Sequence, residues 1–331
     1  MPFGAPDASV VVCAYTLERW ADLVAALTSV RAQEPAALEL ILVIDHNAAL
    51  LAKARSELSG VAIVENSGPR GLSGARNSGV AAASGSVVAF LDDDAVAQLG
   101  WLAGLCRPFG DPAVIGTGGR ADAAWDTGRP AWFPVEFDWV VGCSYRGLPE
   151  VAATVRNPLG CSMAFRRSVF EHVGGFRPEV GRLGTRPIGC EETELCIRAT
   201  RANPGGRIVY VPTAAVRHRV PAARARWAYF RSRCLAEGRS KAIVATLAGS
   251  RSGLSSERAY TLRILPRGVG AGLAGPLRGD RWGPVRAAAI VLGLAATTLG
   301  YVLGRLAIRL EGPRRLDQSA VAPIPLPDRS A

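Results

Sequence analysis

The sequence predicts an α/β fold, in which helices cover a β-sheet, followed by a C-terminal hydrophobic helical tail. Three short apolar runs rich in β-branched residues predict strands buried on both faces, at residues 9–14, 38–44 and 86–91. Helix-like stretches separate these runs, at residues 18–33, 48–58 and 74–83. Alternation of strands and helices indicates parallel strands joined by covering helices.

The second part of the domain gives weaker signals. Glycine and proline cluster between residues 110 and 160 without a long helical period, which predicts a loop-rich half. A further strand is predicted at residues 207–211. Residues 312–331 combine proline with charge and predict a disordered tail.

A run of 18 residues without a charge, 287–304, forms the hydrophobic tail. This length meets the lower limit for a membrane-spanning helix. Arginines on both sides leave the orientation open, and they also fit a helix that lies in the membrane surface. A buried core helix rich in alanine and glycine is the third interpretation. We expect membrane contact.

The charge and the cysteine content limit the partners and the cellular compartment that the protein can have. The 331 residues carry 39 Lys and Arg against 28 Asp and Glu, a net charge of +11, and only Lys53 and Lys241 are lysines. This excess indicates either an anionic partner or a base composition that favours arginine codons. Seven scattered cysteines without a C-x-x-C pair predict neither a disulfide framework nor a zinc site. They suit a reducing compartment, and the N-terminus shows no signal sequence.

Three consecutive carboxylates, Asp92, Asp93 and Asp94, follow the strand predicted at 86–91. Adjacent carboxylates repel one another unless a cation compensates them. The carboxyl ends of parallel strands are where α/β sheets bind ligands, and oxygen ligands there suit Mg²⁺ or Mn²⁺. A solvated acidic turn is the alternative, which an apolar strand leading directly into the triplet disfavours.

Three further groups are candidates for chemistry. Residues 70–79 (RGLSGARNSG) combine glycines, which allow close backbone approach, with Arg70 and Arg76, which can bind phosphate or carboxylate. Glu191 and Glu192 lie at a predicted helix start, where a carboxylate is either a capping charge or a general base. His218 follows a strand and is either a structural histidine or a metal ligand.

Together these features resemble the family 2 glycosyltransferases of the GT-A fold, with a Rossmann-like mixed sheet flanked by helices. The resemblance covers residues 7–235. It rests on strand ends at Ala14-Tyr15-Thr16 and Asp45, the segment 71–79, the Asp triplet, the glutamate pair and His218, in that order.

The resemblance implies roles for individual residues. Asp92 and Asp94 match the ends of the family's D-x-D motif and, with His218, would bind Mn²⁺ or Mg²⁺. Glu192 takes the position of the catalytic base, with Glu191 as the alternative, because the family usually has Glu-Asp there. The nucleotide sugar would be bound by Ala14, Tyr15, Thr16, Asp45, Arg70, Ala75, Arg76, Asp92 and Asp93. Thr16 stands where the family often has Asn.

The activity implied by the resemblance is an inverting, metal-dependent transfer of a sugar from a nucleotide-sugar donor to an acceptor hydroxyl or phosphate. The expected partners are a UDP-sugar, a lipid-linked or cell-envelope glycan acceptor and a membrane surface, with no nucleic acid. We expect the protein at the cytoplasmic face of the cell membrane. The expected divisions are a nucleotide-sugar-binding half (1–120), an acceptor and catalytic half (121–240), a membrane-associated helical tail (241–311) and the disordered tail.

Two segments of the sequence are candidates for binding the acceptor. Aromatic residues crowd 132–145, where they either stack on sugars and lipid or form a small satellite core. Residues 224–241 interleave six cations with aromatic residues and predict a basic amphipathic surface.

Two other functions would fit parts of the pattern. A GT-A-like nucleotidyltransferase needs a glycine-rich signature with a lysine near the N-terminus, and no lysine precedes Lys53. A basic, non-catalytic protein that binds nucleic acid or membranes would present a basic face without a buried acidic triplet.

Overall fold

The computed structural model describes residues 7–180, 189–247 and 255–311. The strands are β1 Ala8–Ala14, β2 Glu39–Ile44, β3 Ala62–Glu65, β4 Val87–Asp92, β5 Ala95–Ala97, β6 Val114–Trp125, β7 Ala153–Val155, β8 Ser162–Arg166 and β9 Arg207–Val220. The helices are α1 Trp20–Arg31, α2 Ala48–Glu57, α3 Leu72–Ala82, α4 Trp101–Cys106, α5 Arg167–Val173, α6 Glu191–Ala202, α7 Trp227–Leu247, α8 Ser255–Ala259, α9 Leu265–Leu273 and α10 Gly283–Glu311.

The strands form one mixed sheet in the order β3-β2-β1-β4-β8-β6-β9-β5, with β7 paired to β9. Strands β1 to β4 run parallel, so their carboxyl ends meet at one edge, where Ala14 pairs with Ile44 and Cys13 with Asp92. Apolar side chains on both faces of these strands are buried beneath helices. The predicted α/β class is confirmed. The three predicted strands are β1, β2 and β4, and they agree with the structure within two residues, as do helices α1 to α3, whereas β3 was not predicted.

The expectation of a loop-rich half is wrong for Val114–Trp125, because these residues form the long central strand β6. Its glycines, which in the sequence indicated turns, lie where other segments of the protein pack too closely to leave room for a side chain. A Cβ at Gly118 would lie 2.1 Å from Pro158, and one at Gly119 would lie 2.1 Å from the Ala214 carbonyl oxygen. Strand β6 also crosses residue 120, so the two expected halves share one sheet.

The tail is helical, as predicted, and packs on the rest of the protein. Helices α7 and α10 lie side by side, and α9 packs on α10. Gly283–Leu310 is long and apolar enough to cross a membrane by length and composition, although 28% of its most apolar stretch is buried in the protein. The disordered tail predicted at 312–331 lies outside the described residues.

We predict that Gly119→Ala destabilises the fold. The added methyl would contact backbone at a distance that side chains cannot adopt, and overpacking of this kind costs about 1–3 kcal/mol. Gly270→Ala is the control, because a Cβ there meets nothing within 4 Å and alanine favours the helix. Thermal and urea unfolding would measure both. A Gly119→Ala protein as stable as the control would contradict the argument.

Candidate active site

One cavity of about 1060 Å³ opens at the edge where the parallel strands end. At one end, Tyr15, Asp45 and Arg76 line it beside the Asp triplet. At the other end, α10 and the segment 257–267 form its wall. The cavity therefore joins the carboxyl edge of the sheet to the C-terminal helices.

The three aspartates after β4 have different surroundings. Asp92 keeps 29% of its side chain exposed, and its Oδ1 lies 3.2 Å from Arg76 Nη2. Asp93 and Asp94 are buried, and Arg19 Nη1 lies 2.9 Å from Asp93 Oδ1 and 3.2 Å from Asp94 Oδ2. His218 Nε2 lies 3.1 Å from Asp94 Oδ1. Cations from distant parts of the chain therefore compensate part of the carboxylate repulsion.

These contacts change the acidities of the buried groups. Burial opposes ionisation of Asp94, but His218, Arg224 and Arg19 outweigh it and lower the pKa of Asp94. Burial and then the Asp94 charge raise the pKa of Asp93 to about 7, although Arg19 acts in the opposite direction. Burial alone would lower the pKa of His218, yet the Asp94 carboxylate raises it to about 10.

The residues present fit a divalent cation. Asp92, Asp94 and His218 each offer one ligand atom, and these atoms lie within 4.8 Å of one another. Asp93 Oδ2 is buried beside them and has no hydrogen-bond partner among the described residues. Two carboxylates with an imidazole suit Mn²⁺, and carboxylate oxygens that share substrate phosphates also suit Mg²⁺.

A buried arginine connects the Asp triplet to the glutamate pair. Arg76, on α3, has only 2% of its side chain exposed, and its Nη1 lies 2.7 Å from Glu191 Oε1. Its Nη2 reaches Asp92 and also donates to the Gly160 carbonyl oxygen at 2.9 Å. Glu191 is therefore committed to an ion pair at the start of α6.

Glu192 has a different environment from Glu191. It lines the same cavity and is only partly buried, and no cation of the described residues lies within ion-pair distance of it. Burial and then the Glu191 charge raise the pKa of Glu192 to about 7. A carboxylate with this pKa can accept a proton near neutral pH.

Most of the residues predicted for the site come together here. The cavity wall contains Ala14, Tyr15, Asp45, Ala75, Arg76, Asp92, Asp93, Asp94, Glu191, Glu192 and His218. Arg70 and Thr16 do not line it: Arg70 is exposed, and Thr16 Oγ1 accepts from Glu18 N at 3.3 Å. Asp45 also accepts hydrogen bonds from Asn66 Nδ2 and Gly71 N, which attaches the glycine-rich segment to the end of β2.

Comparison with known proteins assigns the family. The family model described as Glycosyl transferase family 2 matches residues 9–174. A glucosyl-dolichyl phosphate glucuronosyltransferase from Haloferax volcanii is 34% identical over 240 residues, which are 71% of this chain and 76% of that protein. The chain belongs to glycosyltransferase family 2.

Two further similarities agree with this assignment. A pre-mycofactocin glycosyltransferase from Mycobacterium tuberculosis is 31% identical to this glycosyltransferase over 150 residues, 45% of this chain and 30% of that one. A mannosyltransferase from Pyrobaculum calidifontis, solved with GDP-Man and Mn²⁺, has 16% identity and a TM-score of 0.54 over 90% of this chain and 88% of that chain. The latter similarity shows a shared fold.

The site of this glycosyltransferase also contains cations that sequence reasoning missed. Arg19 follows β1 without any motif, and only the folded chain places it against Asp93 and Asp94. The expectation that residues 224–241 form one basic surface needs correction. Arg224 Nη2 lies 3.4 Å from Asp94 Oδ2, and Arg233 and Lys241 line the cavity, whereas Arg231 and Arg239 are exposed.

The aromatic cluster is divided between a satellite core and the cavity wall. Phe133 and Phe137 are buried in a satellite core with Phe230 of α7, and they hold the tail helices against the sheet domain. Trp139 and Tyr145 extend from this core to the cavity wall.

We predict that Arg76→Met lowers the free energy of unfolding by about 3–5 kcal/mol, because Glu191 would stay buried with an uncompensated charge. The double variant Arg76→Met/Glu191→Gln should recover part of this loss. Arg120→Met is the matched control, because its ion pair with Asp122 is exposed and should contribute no more than about 1 kcal/mol. Equal losses in Arg76→Met and the control, measured by denaturant unfolding, would contradict the assignment.

Proposed function

We propose that this glycosyltransferase moves a sugar from a nucleotide-sugar donor to a hydroxyl group of a lipid-linked acceptor, with inversion at the anomeric carbon. One observation carries the proposal. A single cavity holds the Asp92, Asp94 and His218 group at one end, exposes Glu192 within it, and extends to the C-terminal helices.

The donor would bind at the end of the cavity beside the strand ends. Tyr15 and Asp45 line the wall where the base and ribose would lie, and Asp92 and Asp94 would act as the ends of a D-x-D motif. A divalent cation bound by Asp92, Asp94 and His218 would supply charge neutralisation for the diphosphate leaving group. Arg19 and Arg76 line the same end and add fixed positive charge.

Glu192 would be the general base. It would accept the proton of an acceptor hydroxyl as the oxygen attacks the anomeric carbon, and one displacement inverts the configuration there. Glu191 is less suited to this role because Arg76 holds its carboxylate. A base with a pKa of about 7 favours a hydroxyl acceptor, since a phosphate oxygen is already deprotonated at neutral pH.

The acceptor would bind at the other end of the cavity. Trp139, Tyr145, Ile264, Leu265 and Leu294 give this part of the wall an apolar and aromatic character that suits a lipid chain. The Haloferax volcanii relative is named for glucosyl-dolichyl phosphate, a sugar linked to a lipid through phosphate. A lipid-linked sugar would present both the hydroxyl and the chain that the two parts of the cavity suit.

The cellular setting follows from this acceptor. We propose that the protein acts at the cytoplasmic face of the cell membrane, in the assembly of a cell-envelope glycan, with the apolar helix α10 in contact with lipid. The choice of a UDP-sugar stays a prediction, because the similar mannosyltransferase structure contains GDP-Man. Screening nucleotide sugars for release of the nucleoside diphosphate would identify the donor.

We predict that Asp94→Asn weakens Mn²⁺ binding about 100-fold or more and removes transfer, because it deletes a carboxylate ligand. Isothermal titration calorimetry with Mn²⁺ measures the binding directly, and release of the nucleoside diphosphate measures the activity. The control is Asp122→Asn, an exposed carboxylate outside the cavity wall. Undiminished Mn²⁺ affinity in Asp94→Asn would remove this residue from the metal site.

We predict that Glu192→Gln lowers the transfer rate about 10²–10⁴-fold while donor affinity stays within about twofold of wild type, because only proton transfer is lost. Steady-state kinetics with a donor-binding titration would check both. In the wild-type enzyme the rate should rise with pH up to about 7 and then level off, as the Glu192 carboxylate becomes deprotonated.

Glu191→Gln serves as the comparison for this test. It should lower stability through Arg76 and retain transfer, with the rise in rate shifted to lower pH, because the Glu191 charge no longer raises the pKa of Glu192. Retained transfer in Glu192→Gln, together with a profile lost in Glu191→Gln, would assign the base to Glu191 instead.

A further inference from the structure

Helix α10 turns its glycines Gly293 and Gly300 inward and exposes most of its leucines and valines. Its inner face packs on α7 and the satellite core: a Cβ at Gly300 would lie 2.0 Å from the Leu235 carbonyl oxygen, and one at Gly293 2.6 Å from Phe137. Along its outer face runs a stripe of exposed apolar residues at a spacing of three or four. This outer stripe consists of Val285, Ala288, Leu292, Ala295, Leu299, Val302 and Leu306, all exposed.

A helix on a water-soluble surface shows the reverse pattern, with its apolar face inward and its polar face outward. The outer stripe has no charge from Val285 to Leu306, because Arg286 and Arg305 turn aside to bind Asp280 and Thr246. Neighbouring segments extend the apolar surface with Leu262, Leu273 and Leu277, which are 75%, 63% and 91% exposed. A concentration of exposed apolar residues of this kind indicates an interaction site.

The packing of α7 determines how α10 can meet a membrane. The two helices run in the same direction, since Phe230 lies beside Gly293, Leu235 beside Gly300 and Ala242 beside Gly304. Arg231 and Arg239 of α7 are exposed, Arg231 at the level of Gly293 near the middle of the uncharged run and Arg239 at the level of Gly304 at its end. A spanning α10 would place Arg231 near the centre of the bilayer, where charged side chains are strongly disfavoured.

Charge identifies what covers the outer stripe. Exposed arginines border the apolar surface on several segments: Arg231, Arg239, Arg263, Arg267, Arg278, Arg281 and Arg309. Anionic lipid headgroups would pair with these cations while the acyl chains cover the stripe. A second copy of the chain would instead bring the same arginines face to face, which like-charge repulsion opposes.

The cavity reaches this surface. Thr298 lies on the outer face of α10 and also lines the cavity. Arg263 and Arg267, one helical turn apart, are exposed at the same end and line the cavity as well. A lipid-linked molecule could therefore pass between membrane and cavity without entering bulk water.

We propose that α10 does not span the membrane but lies in its surface, with the outer stripe in contact with the acyl chains of an anionic bilayer and the cavity opening at the headgroups. The proposal rests on the membrane contact included in the proposed function, and it is independent of the sugar that is transferred.

Vesicle flotation of the full-length protein tests the surface. With vesicles of phosphatidylcholine and phosphatidylglycerol, the wild-type protein should float, and Leu292→Glu/Leu299→Glu should float at least about tenfold less, because its carboxylates enter the apolar contact. Leu38→Glu is the matched control, since Leu38 is 55% exposed on the sheet domain and Leu299 is 53% exposed. Thermal unfolding and diphosphate release in detergent would confirm that the double variant is folded.

Cysteine labelling tests the orientation. Arg281→Cys and Arg309→Cys lie near opposite ends of α10, and a membrane-impermeant maleimide added outside the vesicles should modify both above the wild-type background. Protection of one end would show a spanning helix and overturn the proposal. Unchanged flotation of the double variant would overturn the assigned surface. The same conclusion would follow if the wild-type protein bound no vesicles and formed a dimer that the double substitution dissociates. A protein that floats but releases no nucleoside diphosphate from any donor would contradict the proposed function alone.

Discussion

The buried Arg76 guanidinium is the interaction on which the active site depends. It reaches Asp92 at the end of β4, Glu191 at the start of α6 and the Gly160 carbonyl oxygen before β8. Phe90 and Phe176 flank it, so almost no water can compensate its charge. A guanidinium can serve three acceptors at once because its N–H groups diverge in one plane. This single side chain therefore sets the position of Asp92, a proposed metal ligand, relative to the glutamate pair.

The same ion pair separates the roles of the two adjacent glutamates. Glu191 forms an ion pair with Arg76, whereas Glu192 faces the cavity, and burial together with the Glu191 charge raises the pKa of Glu192. Two chemically identical side chains thereby acquire a structural role and a role suited to proton transfer. The divergence arises from their directions at the start of α6, since consecutive helical residues project about 100° apart.

Cationic residues occur in three different environments in this protein. Arg19, Arg76 and Arg224 compensate the Asp triplet, and Lys241 pairs with Glu237 and Glu257 inside the cavity. A third group lies exposed beside the apolar surface of the tail. Cations of the described residues therefore lie both in the cavity, where carboxylates pair with them, and on the surface beside the tail helices.

The sequence by itself determined the α/β class, the parallel strands with their helices, and the identity of the acidic triplet, the glutamate pair and His218. These are local patterns: runs of apolar residues with a fixed period, and charged residues at strand ends. Only the tertiary structure showed that β6 is a strand. Its glycines are required because Pro158 and Ala214, from other segments, pack too closely for a side chain at Gly118 and Gly119. Only the tertiary structure placed Arg19 beside Asp93 and showed that Arg76 pairs with Glu191 and not with Glu192. It also showed which cations of residues 224–241 line the cavity and which are exposed. These outcomes depend on contacts between residues far apart in the chain, which periodicity and local motifs do not encode.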